Sequence, residues 1–547
     1  MKSKRLTLSV LFVVAAVANA QACTNLIVGK NASADGSTIV SYSADSYGLF
    51  GELYHYPAGM HKKGTLIDIH EWDTGKYLGQ IAQARQTYNV IGNMNEFQLT
   101  IGETTFGGRP ELVDTTGIID YGSLIYLGLQ RSRTAREAIK VMTELVQEYG
   151  YYSGGESFTI ADPNEIWIME MIGKGPGVRG AVWVAVRVPD DCISAHANQS
   201  RIHQFNMNDK ENCMYSPDVI SFAREKGYFD GVNKDFSFAN AYAPLDFGAR
   251  RYCEARVWSY FNMFTDRGNE FLPYILGETN TPMPLFVKPN RKVSVQDVKN
   301  AMRDHYEGTP LDISKDFGAG PYHTPYRLSP LSFKVGDREY FNERPISTQQ
   351  SGFVFVAQMR SELPDPIGGV LWFGTDDANM TVFTPVYCCT DKVPVCYTRV
   401  DGADYITFSW NSAFWIFNWV ANMVYPRYDL MMGDVRATQT ELETTFNEAQ
   451  EGVEAAAAKL LEKDPAKAKA FLTNYTNMTA QSTFDTWKRL GEFLVVKYND
   501  GVVKRMKNGQ FERNSIGQPA GVIRPGYPKE FLEEYVKQTG DRYKMPE

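Results

Sequence analysis

Apolar stretches interrupted by turn residues predict many β-strands in the first part of the chain. Strands are favoured at residues 24–28 and 38–42, and the Asp-Gly-Ser turn between them supplies the side-chain hydrogen bond and the positive φ that a hairpin needs. Further strands are expected on both sides of the turn at residues 162–165 and over residues 180–188. The pattern therefore predicts a hairpin at the start and a strand-rich segment after it.

Helical spacing appears between and after these strands. Residues 134–149 place Ala138, Val141, Met142 and Leu145 on one face, which predicts an amphipathic helix. Apolar stretches at residues 352–360 and 368–373 are expected to supply a second sheet, and the Gly/Pro-rich tail after residue 508 is expected to run along the surface. Further helices are predicted over residues 294–305, 408–425 (buried rather than membrane-spanning), 438–463, 465–474 and 483–498.

The first 22 residues have the pattern of a secretory signal peptide. Basic residues at positions 2, 4 and 5 precede an apolar run over residues 6–17, and small residues follow. Two Ala-x-Ala cleavage sites are present, ending at Ala20 and at Ala22. Cleavage after Ala22 makes Cys23 the first residue of the mature chain, whereas cleavage after Ala20 requires the removal of two more residues. We therefore expect an exported protein, periplasmic or extracellular.

A chain that begins with cysteine carries a nucleophile and a base in one residue. The ordinary pKa of a thiol is about 8.5 and that of an α-amino group about 7.7–8.0, so the amine can accept the thiol proton near neutral pH. Two other interpretations of Cys23 stay open. It is either a buried core cysteine or the lipidated cysteine of a lipoprotein, although Ala20 and Gln21 fit a lipobox poorly.

Composition limits the other classes of function. The formal charge of −8 becomes −11 when the three basic residues of the leader are removed, and no basic block is present, so nucleic acid is not an expected partner. The six cysteines other than Cys23 are able to pair in an oxidising compartment, which leaves Cys23 as a free thiol. The spacing of Cys388, Cys389 and Cys396 does not match a zinc site, and no metal or cofactor is predicted.

Four further polar residues are candidates for the same site. Asp45 ends the predicted hairpin near Cys23, where its carboxylate can orient the new α-amino group. Asn95 lies in a turn that can present an oxyanion donor, and Asn198 lies in a polar cluster that closes a strand. Arg251 belongs to an arginine cluster at the start of a helix, and an arginine near the thiolate would lower its pKa. A turn, a scaffold or a solvated helix face explains each residue equally well.

The residues from Cys23 to Lys30, the turn at 35–37, the pair Asn95-Glu96 and the stretch 101–105 resemble the cysteine dipeptidase A family of N-terminal-nucleophile hydrolases. Penicillin V acylase and bile salt hydrolase are wider relatives of that family. The resemblance is good over about the first half of the chain and looser beyond it. It implies a four-layer αββα sandwich with two mainly antiparallel sheets, and hydrolysis of dipeptides without a cofactor.

The resemblance also implies roles for single residues. Cys23 is the nucleophile, Asp45 contacts its amine, Asn95 and Asn198 serve the oxyanion hole, and Arg251 is the distal active-site arginine. Family members usually carry Arg-Asn where this chain has Tyr-Ser at positions 42 and 43, so the arginine nearest the thiol is absent. We hypothesise that Arg251 or another arginine of its cluster compensates.

Together these observations predict an α+β protein in three parts. They are a signal peptide (1–22), an αββα hydrolase core (23–429) and a helical C-terminal extension with a tail (430–547). The predicted function is an exported cysteine dipeptidase with dipeptides as its substrates. The alternatives are an amide hydrolase of the penicillin V acylase or bile salt hydrolase type, and a non-catalytic surface lipoprotein. We expect no stable membrane span, and homo-oligomerisation stays open.

Overall fold

The computed structural model describes residues 23–547. The predicted signal peptide at residues 1–22 and its cleavage sites lie outside the described residues. Within them, no helix is both long and apolar enough to cross a membrane.

Two antiparallel sheets form the centre of the molecule. The predicted hairpin is present, with Val28 opposite Ile39 and Ile27 opposite Val40. It lies in a six-stranded sheet with the order Ile193–His196, Asn25–Val28, Thr38–Asp45, Ser351–Met359, Val370–Thr375 and Thr384–Tyr387. The strands predicted at 352–360 and 368–373 are present, but the expectation that they supply a second sheet is wrong, because Ser351–Met359 pairs directly with the hairpin strand Thr38–Asp45.

The second sheet has eight strands, of which the four longest follow one another along the chain. Their order is Cys213–Tyr215, Ala181–Arg187, Ile166–Gly173, Gly155–Ala161, Thr100–Gly107, Met94–Asn95, Val90–Ile91 and His55–Tyr56.

Alternate residues of these strands serve two different cores. Trp167 and Met169 pack outward with the helices that cover the eight-stranded sheet, whereas Ile166 and Ile168 belong to the larger core shared with the six-stranded sheet. This period of two means that both faces of the strand are buried.

Helices lie on the outer side of each sheet. Tyr121–Arg131 and Ala135–Tyr149 pack on the eight-stranded sheet, and the prediction for residues 134–149 is confirmed with Thr134 as the N-cap. Tyr428–Leu461 and Pro465–Tyr498 cover the six-stranded sheet, where Oγ1 of Thr476 accepts a hydrogen bond from the Tyr387 N–H at 3.3 Å. The other α-helices are Val219–Glu225, Phe238–Tyr242, Ala255–Phe264, Gly268–Leu276, Val295–Ala301, Asp365–Gly368, Ala413–Val424 and Lys529–Thr539, and a π-helix spans Ala249–Glu254.

Smaller elements connect these layers. Two-stranded pairs are formed by Gly59–Met60 with Gln86–Thr87, Leu66–His70 with Tyr77–Ala82, Ser332–Val335 with Arg338–Phe341, Val503–Lys504 with Val522–Ile523, and Met506–Lys507 with Gln510–Phe511. Short 3₁₀-helices occur at Pro110–Leu112, Asn233–Asp235, Phe317–Tyr322, Val395–Tyr397, Val400–Gly402, Tyr425–Arg427, Asn499–Gly501 and Gly540–Tyr543.

The C-terminal helices differ from the prediction in three ways. The helices expected at 465–474 and 483–498 are one continuous helix, because the residues between them contain no Gly or Pro and pack on the sheet. The helix expected from residue 438 begins at Tyr428. The tail after residue 508 runs along the surface but also contains the helix Lys529–Thr539, which the sequence analysis did not predict.

Candidate active site

The thiol of Cys23 lies where the two sheets meet. Its Sγ is 3.4 Å from Oε1 of Glu103 and 3.8 Å from the Tyr42 hydroxyl, which donates to the same Oε1 atom at 2.5 Å. Tyr42 lies in the six-stranded sheet and Glu103 in the eight-stranded sheet, and Cys23 precedes the strand Asn25–Val28 by two residues. Only 2% of Cys23 is exposed, so the thiol is enclosed.

The close approach of the two sheets depends on Asn25 and Gly102. Nδ2 of Asn25 donates to the main-chain carbonyl of Glu103 at 2.6 Å. A Cβ atom on Gly102 would lie only 2.4 Å from Oδ1 of Asn25, so a side chain there would push the strands apart. The sequence Gly-Glu thus brings the Glu103 carboxyl within reach of the thiol.

The surroundings of the thiol disfavour its ionised form. Burial raises the pKa of Cys23 well above its ordinary value, and the negative charges of Glu103 and Asp45 raise it further. The main-chain N–H of Asp45 and the Tyr42 hydroxyl hydrogen-bond the sulfur and act in the opposite direction. Burial and the two carboxylates therefore favour the neutral thiol.

Asp45 is fixed at the end of its strand by three donors. Its carboxylate forms a buried ion pair with Arg344 at 2.6 Å and accepts hydrogen bonds from Ser351 at 2.6 Å and Ser43 at 3.0 Å. Because Asp45 also contributes the N–H near the sulfur, this network positions the backbone around the thiol.

Arg256 binds the main chain of Cys23 directly. Its Nη1 donates to the Cys23 carbonyl at 2.6 Å and to Oγ1 of Thr24 at 2.8 Å, and its Nη2 donates to Oδ1 of Asn198 at 2.9 Å. Nδ2 of Asn198 donates to the Thr105 carbonyl at 2.8 Å, and the residue has a φ of 61°. Asn198 is therefore linked to Cys23 through Arg256.

Asn95 is engaged by its own turn. Its Nδ2 donates to the carbonyls of Leu129 and Ser132, both at 2.8 Å, and its Oδ1 accepts from the N–H groups of Phe97 and Leu99. All these contacts shape the loop at residues 95–99. The assignment of Asn95 to an oxyanion hole stays a prediction.

Arg251 makes its contacts away from Cys23. It forms an ion pair with Glu343, and its guanidinium lies 4.9 Å from the centre of the Phe341 ring. These contacts connect the π-helix to the segment after the hairpin Ser332–Phe341. The role predicted for Arg251 is untested, but Arg256 is the arginine that contacts the residue carrying the thiol.

His196 belongs to the scaffold. It is fully buried, and its two ring nitrogens are 2.7 Å and 2.6 Å from the hydroxyls of Thr104 and Thr159. Burial, with the charge of Arg201, lowers its pKa to about 3, so the ring is neutral and bridges the two sheets.

Neither disulfides nor metal-ligand clusters are found in the part of the chain that the structure describes. All seven cysteines at residues 23–547 are free, so the six that the sequence allowed to pair are unpaired. Within the same range, no group of three or more His, Cys, Asp and Glu side chains is arranged to hold a metal ion.

The sequence analysis missed two participants, Arg256 and Glu103. Arg256 stood in the arginine cluster, but the sequence did not indicate which arginine faces the thiol. Glu103 was noted only as part of a motif. The sequence did contain an indication of its role, because Glu103 is a carboxylate in an apolar strand between Ile101 and Phe106. Burying a charge without a partner is costly, so a buried glutamate at this position suggests a function.

The region that is similar to known proteins includes all the residues of this site. The family model "Peptidase family C69" matches residues 22–55 and 50–441. A "Probable dipeptidase" from Salmonella dublin is 30% identical over 394 residues, covering 67% of this chain and 81% of the relative. A "Probable dipeptidase" from Latilactobacillus sakei is 26% identical over 474 residues (83% and 90%), and "Dipeptidase A" from Lactobacillus helveticus is 24% identical over 416 residues (72% and 80%).

Proposed function

The chain belongs to peptidase family C69, and from this membership we propose that it is an exported dipeptidase whose nucleophile is the thiolate of Cys23. Three of its relatives carry the name dipeptidase or probable dipeptidase, which supports the substrate class. In the proposed protein, residues 1–22 are a signal peptide, and their removal frees the α-amino group of Cys23 in the periplasm or outside the cell.

The fold is, in this proposal, the αββα sandwich of N-terminal-nucleophile hydrolases, expected over residues 23–429. Two antiparallel sheets with helices on their outer sides support the assignment. The helices Tyr428–Leu461 and Pro465–Tyr498 cover the six-stranded sheet, so the segment predicted as an extension at 430–547 also supplies an outer layer of this sandwich.

The position of Cys23 carries the proposal. It directly follows a predicted cleavage site, it lies two residues before the strand Asn25–Val28 of the six-stranded sheet, and its thiol contacts Glu103 and Tyr42. A core cysteine without a function would be expected among apolar neighbours rather than beside a buried carboxylate.

The proposed reaction is acyl transfer in two steps. The α-amino group takes the thiol proton, directly or through one water, and Sγ attacks the carbonyl carbon of the scissile amide. The C–N bond then breaks as the amine returns the proton to the leaving amino acid, and a thioester on Cys23 remains. Water attacks the thioester, releases the first amino acid and restores the thiol.

Asp45, Arg256 and Asn198 support this step as positioning residues. Asp45 holds the backbone that lies beside the sulfur, and Arg256 fixes the carbonyl of Cys23. Asn198 connects Arg256 to the strand that bears Glu103. The oxyanion role of Asn95 and the contribution of Arg251 remain predictions within this proposal.

An amide hydrolase for N-acyl substrates is the second candidate. Such an enzyme needs an apolar pocket for the acyl group, whereas the side chains that hydrogen-bond this thiol are a carboxylate and a phenol. The polar surroundings favour a substrate with a charged group close to the scissile bond. They also disfavour a non-catalytic lipoprotein, in which the thiol would be acylated.

The first test combines N-terminal sequencing and intact mass of the exported protein, before and after iodoacetamide. We expect a mature chain that starts at Cys23 with one rapidly labelled thiol. Cys23→Ala should lower the turnover of dipeptides by about 10⁴-fold or more, because the covalent step is lost.

Cys192→Ala is the matched control. Cys192 is also a buried free thiol, its pKa is raised to about 11 chiefly by burial, and it lies outside the site. Its loss should leave turnover unchanged. A mature chain that starts at Gln21, a lipid mass on Cys23 or full activity of Cys23→Ala would contradict the proposal.

A further inference from the structure

A second buried carboxyl lies beside Glu103. Glu156 faces the same side of the eight-stranded sheet, where Thr105 stands directly opposite it and donates to its Oε2 atom at 2.9 Å. Burial raises the pKa of Glu156 well above its ordinary value, and the charge of Glu103 and a hydrogen bond with that carboxyl raise it further. These causes favour the neutral form of Glu156 beside the Glu103 carboxylate.

This charge lacks a cation within the described residues. The described partners of the two carboxyls are the Cys23 thiol and the hydroxyls of Tyr42 and Thr105, and none of them carries a positive charge. Oε2 of Glu103 and Oε1 of Glu156 are fully buried and have no hydrogen-bond partner there other than each other's carboxyl. A buried negative charge without a counter-ion is costly, so the pair is suited to a cation that arrives from outside.

The buried phenol of Tyr121 contacts a carboxylate at the surface. It donates to Asp73 at 3.0 Å, and Asp73 is exposed in the turn at residues 71–76. Burial raises the pKa of Tyr121, and the charges of Asp73, Glu103 and Glu156 all raise it further. Carboxylates around this phenol favour a positively charged substrate group.

We propose that Glu103, paired with Glu156, binds the α-ammonium group of the substrate, so that the enzyme is selective for peptides with a free N-terminus. This inference rests on the proposed function, since it assumes that Cys23 attacks the first peptide bond.

The covalent geometry of a dipeptide places the ammonium where this pair can bind it. The ammonium nitrogen is two bonds, about 2.5 Å, from the carbonyl carbon under attack. Sγ must approach that carbon to about 3–3.5 Å, and Oε1 of Glu103 is 3.4 Å from Sγ. A peptide in position for attack can therefore place its ammonium within hydrogen-bond distance of the Glu103 carboxylate.

The same contact gives a reason for Tyr42 at the place where relatives of the dipeptidase A family usually have arginine. An arginine there would neutralise Glu103, whereas the Tyr42 hydroxyl donates to Glu103 and leaves its charge in place. The bound ammonium then lies between the carboxylate and the forming thiolate and offsets their repulsion. The substrate itself supplies the positive charge that the site lacks.

The experiment compares Ala-Ala with propionyl-Ala, which differs only in having hydrogen in place of the ammonium. For the mature wild-type enzyme we expect kcat/KM to be at least about 100-fold higher for Ala-Ala. Glu103→Gln should reduce that ratio to within about threefold of unity, mainly by loss of activity on Ala-Ala. Tyr42→Phe is the matched control, because it removes the neighbouring hydrogen bond but keeps the carboxylate, and it should retain most of the ratio.

If Glu103→Gln does not fold, inhibition of the wild-type enzyme tests the same inference. Alaninamide carries the ammonium and propionamide does not, so alaninamide should inhibit dipeptide hydrolysis competitively at concentrations where propionamide has no effect.

Two outcomes would overturn the inference while the proposed function stands. One is an equal fall of kcat/KM for both substrates in Glu103→Gln, which would assign the carboxylate to the thiol or to the enzyme's own amine. The other is equal inhibition by the two amides. If the mature enzyme hydrolyses neither substrate, the proposed function fails and this inference fails with it.

Discussion

Arg256 is the buried arginine on which the position of Cys23 depends. Burial, with the nearby charge of Arg344, lowers its pKa to about 10, so it remains charged at neutral pH and its guanidinium bridges Cys23, Thr24 and Asn198. A lysine keeps the charge but lacks the planar fork that serves several acceptors at once. We expect Arg256→Lys to lower kcat by about tenfold or more and to lower the melting temperature.

Arg251→Lys is the natural comparison for this prediction. Arg251 contacts Glu343 and Phe341, so its replacement should cost less kcat than that of Arg256. Steady-state kinetics and thermal unfolding of Arg256→Lys and Arg251→Lys show which arginine contributes more to kcat. A greater loss of kcat in Arg251→Lys would support the role that the sequence assigned to Arg251.

The pH dependence of Cys23 reactivity follows from its neighbours. Burial raises the thiol pKa, and the charge of Glu103 raises it further, so the fraction of thiolate increases only as the pH rises above the ordinary range. Glu103→Gln removes one negative charge, which must lower the thiol pKa. The rate of alkylation by iodoacetamide should therefore rise at lower pH in Glu103→Gln than in the wild type, and a shift to higher pH would contradict the described geometry.

The proximity of Cys23 and Asp45 was predictable, because one hairpin brings their two positions together. Their roles stay predictions. Arg256 and Glu103 reach the site from more than 75 residues away, and only the packing of the sheets brings them there. Residues 251 and 256 are five positions apart across a π-helical segment, so helical periodicity did not indicate which one faces Cys23.

At the level of elements, one buried ion pair connects the C-terminal helices to the core. Glu443 of the helix Tyr428–Leu461 contacts Arg303 at 2.5 Å and accepts from the Phe383 N–H at 3.0 Å. Glu443→Gln would leave Arg303 and the buried Lys299 without a counter-charge. We expect a loss of about 3–5 kcal/mol in unfolding free energy, measured by denaturant unfolding.

Glu448→Gln on the same helix is the control, since Glu448 is exposed and should change stability by less than about 0.5 kcal/mol. Equal effects of the two substitutions would mean that the buried pair does not anchor the helix.

The same pair predicts how stability varies in acid. Burial opposes the charge of Glu443, but Arg303 and Lys299 outweigh it and lower its pKa to about 2. A depressed carboxyl pKa stabilises the folded state above the unfolded pKa of about 4.5, and this contribution disappears as the pH falls towards 2. Wild type should thus lose stability between pH 4.5 and 2 more steeply than Glu443→Gln, as acid-unfolding curves can show.

Elements with a clear period were predictable, and their continuity was not. The helix at Ala135–Tyr149 and the N-terminal hairpin occur as expected, since one amphipathic face or one turn defines each. The two helices expected within Pro465–Tyr498 are one, because Thr476 and Thr479, weak helix formers, are buried by tertiary packing. The sequence carries no local sign of that packing.

At the scale of the whole molecule, stability is concentrated in residues 23–501. None of residues 502–547 is buried, although the tail contacts the core where Tyr322 donates to the Gly526 carbonyl at 2.9 Å. A chain ending at residue 501 should retain dipeptide turnover and a melting temperature within about 2 °C of the full chain. A drop of more than about 5 °C in thermal unfolding would show that the tail contributes to the fold.

The overall class was within reach of the sequence, and the assembly of the site was not. Strand-rich and helical segments, the Cys23 motif and its family resemblance indicate an α+β hydrolase. The division of strands between two sheets depends on pairings such as Asp45 with Ser351, which join segments 306 residues apart. Pairings between strands so far apart along the chain cannot be read from the sequence, so it could not show that Glu103 and Cys23 lie together.

The hydrogen bonds from Arg256 to Cys23 and Thr24 have a consequence for the proposed removal of residues 1–22. They use the oxygen of Cys23 and the neighbouring side chain, and no hydrogen bond among residues 23–547 requires the nitrogen of Cys23 to be a free amine. Cleavage after Ala22, as proposed, changes only the nitrogen of Cys23 and therefore leaves these contacts of Arg256 in place.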